Sequence, residues 1–71
     1  MVVAIMKTSH FEFIVFAQTK TLAIKLMDES YYRHLKEEHL SWTENEKPTE
    51  HYGVNCIMIK DGDTYRDFER F

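Results

Sequence analysis

Three short runs of this chain alternate so that a sheet built from them carries two apolar faces, while a single long helical segment is present to cover one. Along a strand successive side chains point to opposite sides. In the run 11–17, Phe11, Phe13 and Val15 share one face, and Glu12, Ile14 and Phe16 share the other. In 2–7, Val3 and Ile5 oppose Val2, Ala4 and Met6. In 54–59, Val54, Cys56 and Met58 oppose Asn55, Ile57 and Ile59. Each apolar side chain left in water forgoes about 1.5–3 kcal/mol of burial. The second face must therefore be covered by a partner surface or by the chain itself folding back, with Trp42, Tyr52 and the C-terminal aromatics as the available cover.

Size sharpens the constraint. Seventy-one residues make one domain, 1–71, and a domain this small buries only about 60% of its unfolded surface. The single cysteine, Cys56, excludes an intrachain disulfide, so a disulfide-stapled secreted scaffold is ruled out. A 44% hydrophobic share argues against disorder. The net charge of −3 lacks the basic footprint of a nucleic-acid or anionic-membrane binder. The apolar opening 1–6 is cut off by Lys7 without a preceding basic region, unlike a signal peptide. The stretch 11–17 falls far short of the roughly 20 residues a spanning helix needs. A cytoplasmic protein with a reduced thiol is expected.

The pattern predicts a hairpin of strands 2–7 and 11–17 joined by Thr8-Ser9-His10. Thr19 is positioned as an N-cap. From Lys20, the residues Leu22, Ala23, Leu26, Met27, Tyr31 and Leu35 recur at helical spacing, which predicts a helix from about Lys20 to about Leu40. A strand at 21–27 is the rival reading, because Leu22, Ile24 and Leu26 also alternate; length and the continued period favour the helix. Residues 41–50 read as a polar loop with room for one helical turn, since Ser41-Trp42-Thr43-Glu44 has capping-box spacing. Residues 52–60 read as a strand covered on both faces, and Asp61-Gly62 as a tight turn. Residues 64–71 fit a returning strand in their first half; Tyr65, Phe68 and Phe71, three apart, also fit a short helix. The fold class is α+β: a small antiparallel sheet with one helix packed on one face, in the order β-β-α-β-β.

The chemistry-bearing residues give little. His34 and His39 lie five apart, roughly 140° around a helix, so they do not share a metal on one face. No His-Glu-x-x-His pattern or cysteine pair occurs. Cys56 sits in an apolar run, where a cysteine acts as a small hydrophobe. Glu37, Glu38, Glu44, Glu46 and Glu50 lie in a polar stretch with nothing apolar to raise a carboxyl pKa. No catalytic residue, metal or cofactor is predicted. The acidity is one-sided, however: residues 1–27 hold three lysines against Glu12, and 28–71 hold six basic residues against eleven acidic ones. Such asymmetry steers encounters with a basic partner. Tyr31 and Leu35 are expected to pack inward, leaving Tyr32 and Trp42 exposed or at an interface.

The stretch Phe13-Ile14-Val15-Phe16-Ala17-Gln18-Thr19, followed by Leu22-Ala23-Ile24-Lys25-Leu26-Met27, resembles a strand-to-helix junction common in small phage-encoded proteins. Size, aromatic content and lack of catalytic groups are similar to phage inhibitors of host enzymes or defence systems, anti-CRISPR proteins included. The unused apolar sheet face and the lack of chemistry lead to the expectation of a non-enzymatic, homodimeric protein-binding module that acts sterically. The resemblance implies its concrete form, a phage-type inhibitor in the host cytoplasm if phage-encoded. The resemblance carries over no functional residue. The second sheet face, the exposed aromatics and the acidic segment point to Ile14, Phe16, Tyr32, Glu37, Glu38, Trp42, Glu44 and Glu46 as the residues that meet a protein partner, with no direct nucleic-acid or membrane binding expected. The alternatives are a self-associating structural or assembly subunit, or an enzyme or ligand-binding module using His and Glu across a dimer cleft.

Overall fold

The run Val2–Met6 is buried along its whole length, and it forms the middle strand of the sheet. In the computed structural model, which describes residues 1–66, Glu69 and the backbone of Arg70, strand β1 (Val2–Lys7) pairs antiparallel with β2 (Glu12–Ala17). Helix α1 (Lys20–Glu37) and the short helix α2 (Pro48–Tyr52) follow. Strand β3 (Asn55–Met58) then returns antiparallel to the other side of β1. The order across the sheet is β2-β1-β3. Strands β4 (Tyr65–Arg66) and β5 (Glu69–Arg70) make a separate two-stranded pair. The expected α+β architecture is present: a small antiparallel sheet with one main helix on one face.

The β1–β2 loop closes without a glycine because Thr8 organises it. Its N–H donates to the Phe11 carbonyl at 2.8 Å, and its Oγ1 accepts from the Phe11 N–H at 3.0 Å. Phe11 is thereby drawn into the loop, so β2 begins at Glu12, one residue later than the alternation suggests. Helix α1 starts where expected, with Thr19 Oγ1 accepting from the Leu22 N–H at 3.2 Å. It ends earlier than about Leu40. His39 takes a left-handed conformation (φ 57°), and the Leu40 N–H reaches back to the Leu35 carbonyl at 2.8 Å while that of His39 reaches Lys36 at 3.2 Å. These bonds satisfy the last helical carbonyls and stop the helix.

Two expectations are corrected here. The 41–50 segment is not a loop throughout, and its helical turn is not at 41–44: α2 begins at Pro48, a residue suited to a first helical position. The strand buried along its whole length is β1, not the 52–60 run, which contributes only the short edge strand β3 after Gly53 (φ 80°) ends α2. Central position explains the difference, because neighbours on both sides shade β1. The Asp61-Gly62 turn is present, closed by the Asp63 N–H donating to the Lys60 carbonyl at 3.1 Å. Tyr65–Arg66 is extended, as the strand reading of 64–71 has it; Phe68 and Phe71 lie outside the described residues.

The core sits between α1 and one sheet face, where Val2, Ala4, Met6 and Ala17 meet Ala23, Met27, Tyr31 and Leu35. The inward positions expected for Tyr31 and Leu35 are those observed. Asp28 joins this buried set. Its two carboxylate oxygens accept from the Thr49 N–H at 2.9 Å and the Thr49 hydroxyl at 3.1 Å. Lys47 makes no side-chain cap for α2; Asp28 on α1 does that work from across the fold.

Candidate functional site

The sheet face away from α1 is built by register. Phe16 lies opposite Val3, Ile14 opposite Ile5, and Glu12 opposite Lys7. On the other side Ile57 lies opposite Val3 and Asn55 opposite Ile5. Val3 and Ile5 are shaded by these neighbours and are buried, but on the edge strand Ile14 remains 42% exposed and Phe16 62%. Tyr65 borders the far side, its hydroxyl donating to the Met58 carbonyl at 3.2 Å. The result is a groove of about 200 Å³ lined by Val3, Ile14, Phe16, Ile57, Ile59 and Tyr65. A Lys7–Glu12 ion pair of 3.7 Å marks the loop end of this face. Its floor and walls carry hydrocarbon and one phenol ring, which suits apolar contact.

Of the side chains considered as cover for this face, Trp42 and Tyr52 pack on the opposite side of the sheet. The C-terminal aromatic Tyr65 does border it, and Phe68 and Phe71 lie outside the described residues. Trp42 is half-buried rather than exposed, set edge-on to Tyr31 at 5.6 Å. Its Nε1–H donates to the Glu46 carbonyl at 2.7 Å. Tyr31 is the centre of this aromatic group, with Phe13 and Tyr52 each 5.5 Å away and His34 at 5.9 Å. The Tyr31 and Tyr52 hydroxyls share a hydrogen bond of 3.0 Å. Burial, and then the bond to Tyr52, push the Tyr31 phenol from 10.0 up to about 12. A raised folded-state pKa favours the folded protein below pH 10, and that contribution is lost as pH rises through 12. Urea midpoints measured from pH 9 upward are expected to fall across this window for the natural chain, and to fall less steeply for Tyr31→Phe. Equal slopes would remove Tyr31 as the cause.

The remaining candidate residues lie away from this face. Tyr32 is exposed on α1 and lines a groove between α1 and α2 with Ile24, Lys25, Lys47 and Val54. Glu37 and Glu38 are exposed at the end of α1, and Glu44 is exposed on the following loop. Glu46 accepts from His51 Nδ1 at 2.6 Å, and this hydrogen bond, with a second from its own backbone, holds its carboxyl below the usual range. Among the described residues, Glu44, Glu46 and His51 bring donor atoms within 4.8 Å of one another, close enough to hold a cation. Cys56 lies half-buried against the core, opposite Ala4. The structure thus brings together Ile14 and Phe16 on the sheet face, gathers Trp42, Glu44 and Glu46 into a second group beside His51, and leaves Tyr32, Glu37 and Glu38 apart from both.

Comparison with known proteins finds no matching family model, curated protein or solved structure. The groove is accordingly read from its own chemistry. Among the described residues no helix is long and apolar enough to cross a membrane. Tyr65 reaches this wall from outside the three-stranded sheet, as the reading of the C-terminal aromatics as cover has it. The Asp28–Thr49 contact is invisible to local pattern, its partners being 21 residues apart.

Proposed function

We propose that this chain is a non-enzymatic, homodimeric protein-binding module that acts sterically, by seating the apolar sheet face on a protein partner. A phage-type inhibitor of a host enzyme or defence complex is the concrete form of this reading, and the host cytoplasm its setting. The observation that carries it is the groove at Ile14 and Phe16. A domain this small has little stability to spare, yet it leaves a phenylalanine 62% exposed beside an exposed isoleucine and four further apolar walls. The one-sided acidity of residues 28–71 adds long-range attraction toward a basic surface, and the net negative charge disfavours direct binding to nucleic acid.

The test compares the tagged natural chain with Phe16→Asp and Ile14→Lys, both surface changes that leave the core intact. Partner capture from the natural host is expected to fall at least about 30-fold for Phe16→Asp, the scale of a central interface side chain. Thermal midpoints should stay near that of the natural chain. Undiminished capture by both variants would move the partner surface away from this face. The alternative, a self-associating assembly subunit, is separated by sedimentation over a range of concentrations, where it predicts growth beyond a closed dimer.

A further inference from the structure

The free edge of β2 carries more information than its face. β2 is at the border of the sheet, and its interior, Phe13 to Phe16, holds no charge, proline or glycine. Edge strands are normally protected by such residues, by bulges or by a cover, because their unpaired backbone groups template pairing. β3 at the other border is four residues long, and its Met58 carbonyl already accepts from Tyr65. A groove of about 370 Å³ runs alongside this edge, lined by Phe13 and Ile14 of β2 and by Ser30, Arg33, His34 and Glu37 of α1.

The hydrogen-bond phase says which groups are free. The Thr8–Phe11 backbone bond fixes the bonded positions of the β1–β2 ladder, so Phe13, Val15 and Ala17 bond to β1. The N–H and C=O groups of Glu12, Ile14 and Phe16 therefore point outward. An antiparallel copy of β2 centred on Ile14 satisfies every one of them: Ile14 bonds to the partner's Ile14, and Glu12 to the partner's Phe16. Phe13 then lies beside the partner's Val15. The two Glu12 carboxylates sit on opposite sides of the axis, about 13 Å apart along the strands, so no like charges collide. The even register also keeps both helices on one side and both apolar faces on the other.

We infer that two copies of this chain pair through β2, about a two-fold axis at Ile14, into one six-stranded antiparallel sheet. This deepens the homodimer reading above and rests on it. Two-fold pairing consumes the long free edge on both copies, so the assembly closes at two. It also sets the two grooves side by side on a single continuous face.

Hydrogen exchange of the natural chain tests this directly, combined with sedimentation over the same concentrations. In the dimer the Ile14 and Phe16 amides should gain at least tenfold protection relative to dilute protein, while Phe13 and Val15, already bonded to β1, change little. In a Cys56→Ser background, Ile14→Cys should form a disulfide-linked dimer on oxidation, since directly opposed strand residues lie within disulfide reach; Phe16→Cys should not. A dimer without Ile14 and Phe16 protection, or one that crosslinks at position 16, overturns edge pairing and leaves the homodimer reading standing. A chain that stays monomeric throughout overturns both.

Discussion

Replacing Asp28 with alanine is expected to remove about 2–4 kcal/mol of stability, lowering the thermal midpoint by on the order of 10–25 °C. The reason is positional. Thr49 is the second residue of α2, where a backbone N–H has no partner within its own helix. Both Thr49 and Asp28 are buried, so water does not readily replace the lost acceptor. Removing the carboxylate leaves an N–H and a hydroxyl unpaired, each with a desolvation cost of about 1–3 kcal/mol. Asp28→Asn should be milder, because the amide oxygen can still accept the Thr49 N–H. A cycle with Thr49→Val isolates the hydroxyl contact: the double variant should be less damaged than the sum of the two single changes. A loss below about 0.5 kcal/mol for Asp28→Ala, the level of an ordinary surface change, would mean that α2 is not held through this contact.

The same contact shows where local pattern stops being informative. The hairpin, the start of α1 at Thr19, the inward Tyr31 and Leu35, and the Asp61-Gly62 turn follow from signals within a few residues. So does the apolar outer face, because alternation in β2 leaves Ile14 and Phe16 nowhere else to point. Helix α2 did not, since five residues carry no helical period and its cap comes from 21 residues upstream. Strand order escaped for a related reason. The apolar runs 2–6 and 54–59 look alike, and only pairing decides which is central and which is an edge. The sequence pattern places Trp42 exposed, at an interface or over the second sheet face; the left-handed turn at His39 redirects the chain so that its indole meets Tyr31 instead.

Replacing Tyr31 with alanine is expected to be the most damaging single change in the aromatic group, at about 3–5 kcal/mol, the range seen for large core aromatics. A domain of this length has a total stability of roughly 4–10 kcal/mol, so much of the chain should be unfolded at moderate temperature. The ring is 7% exposed and meets Phe13, His34, Trp42 and Tyr52 at once. Removing it therefore opens a cavity between the sheet, α1 and the 41–52 segment. Tyr31→Phe separates ring from hydroxyl. Tyr52 is only half-buried and its freed hydroxyl can turn to water, so this variant should cost about 1 kcal/mol or less. Trp42 is the single tryptophan, and its emission reports the transition: it should shift to the red in Tyr31→Ala under native conditions and stay unchanged in Tyr31→Phe. A Tyr31→Ala protein with unaltered emission and a loss under about 1.5 kcal/mol would show that Trp42 and Tyr52 close the gap on their own. In that case the aromatic group is several interchangeable contacts rather than one built around Tyr31.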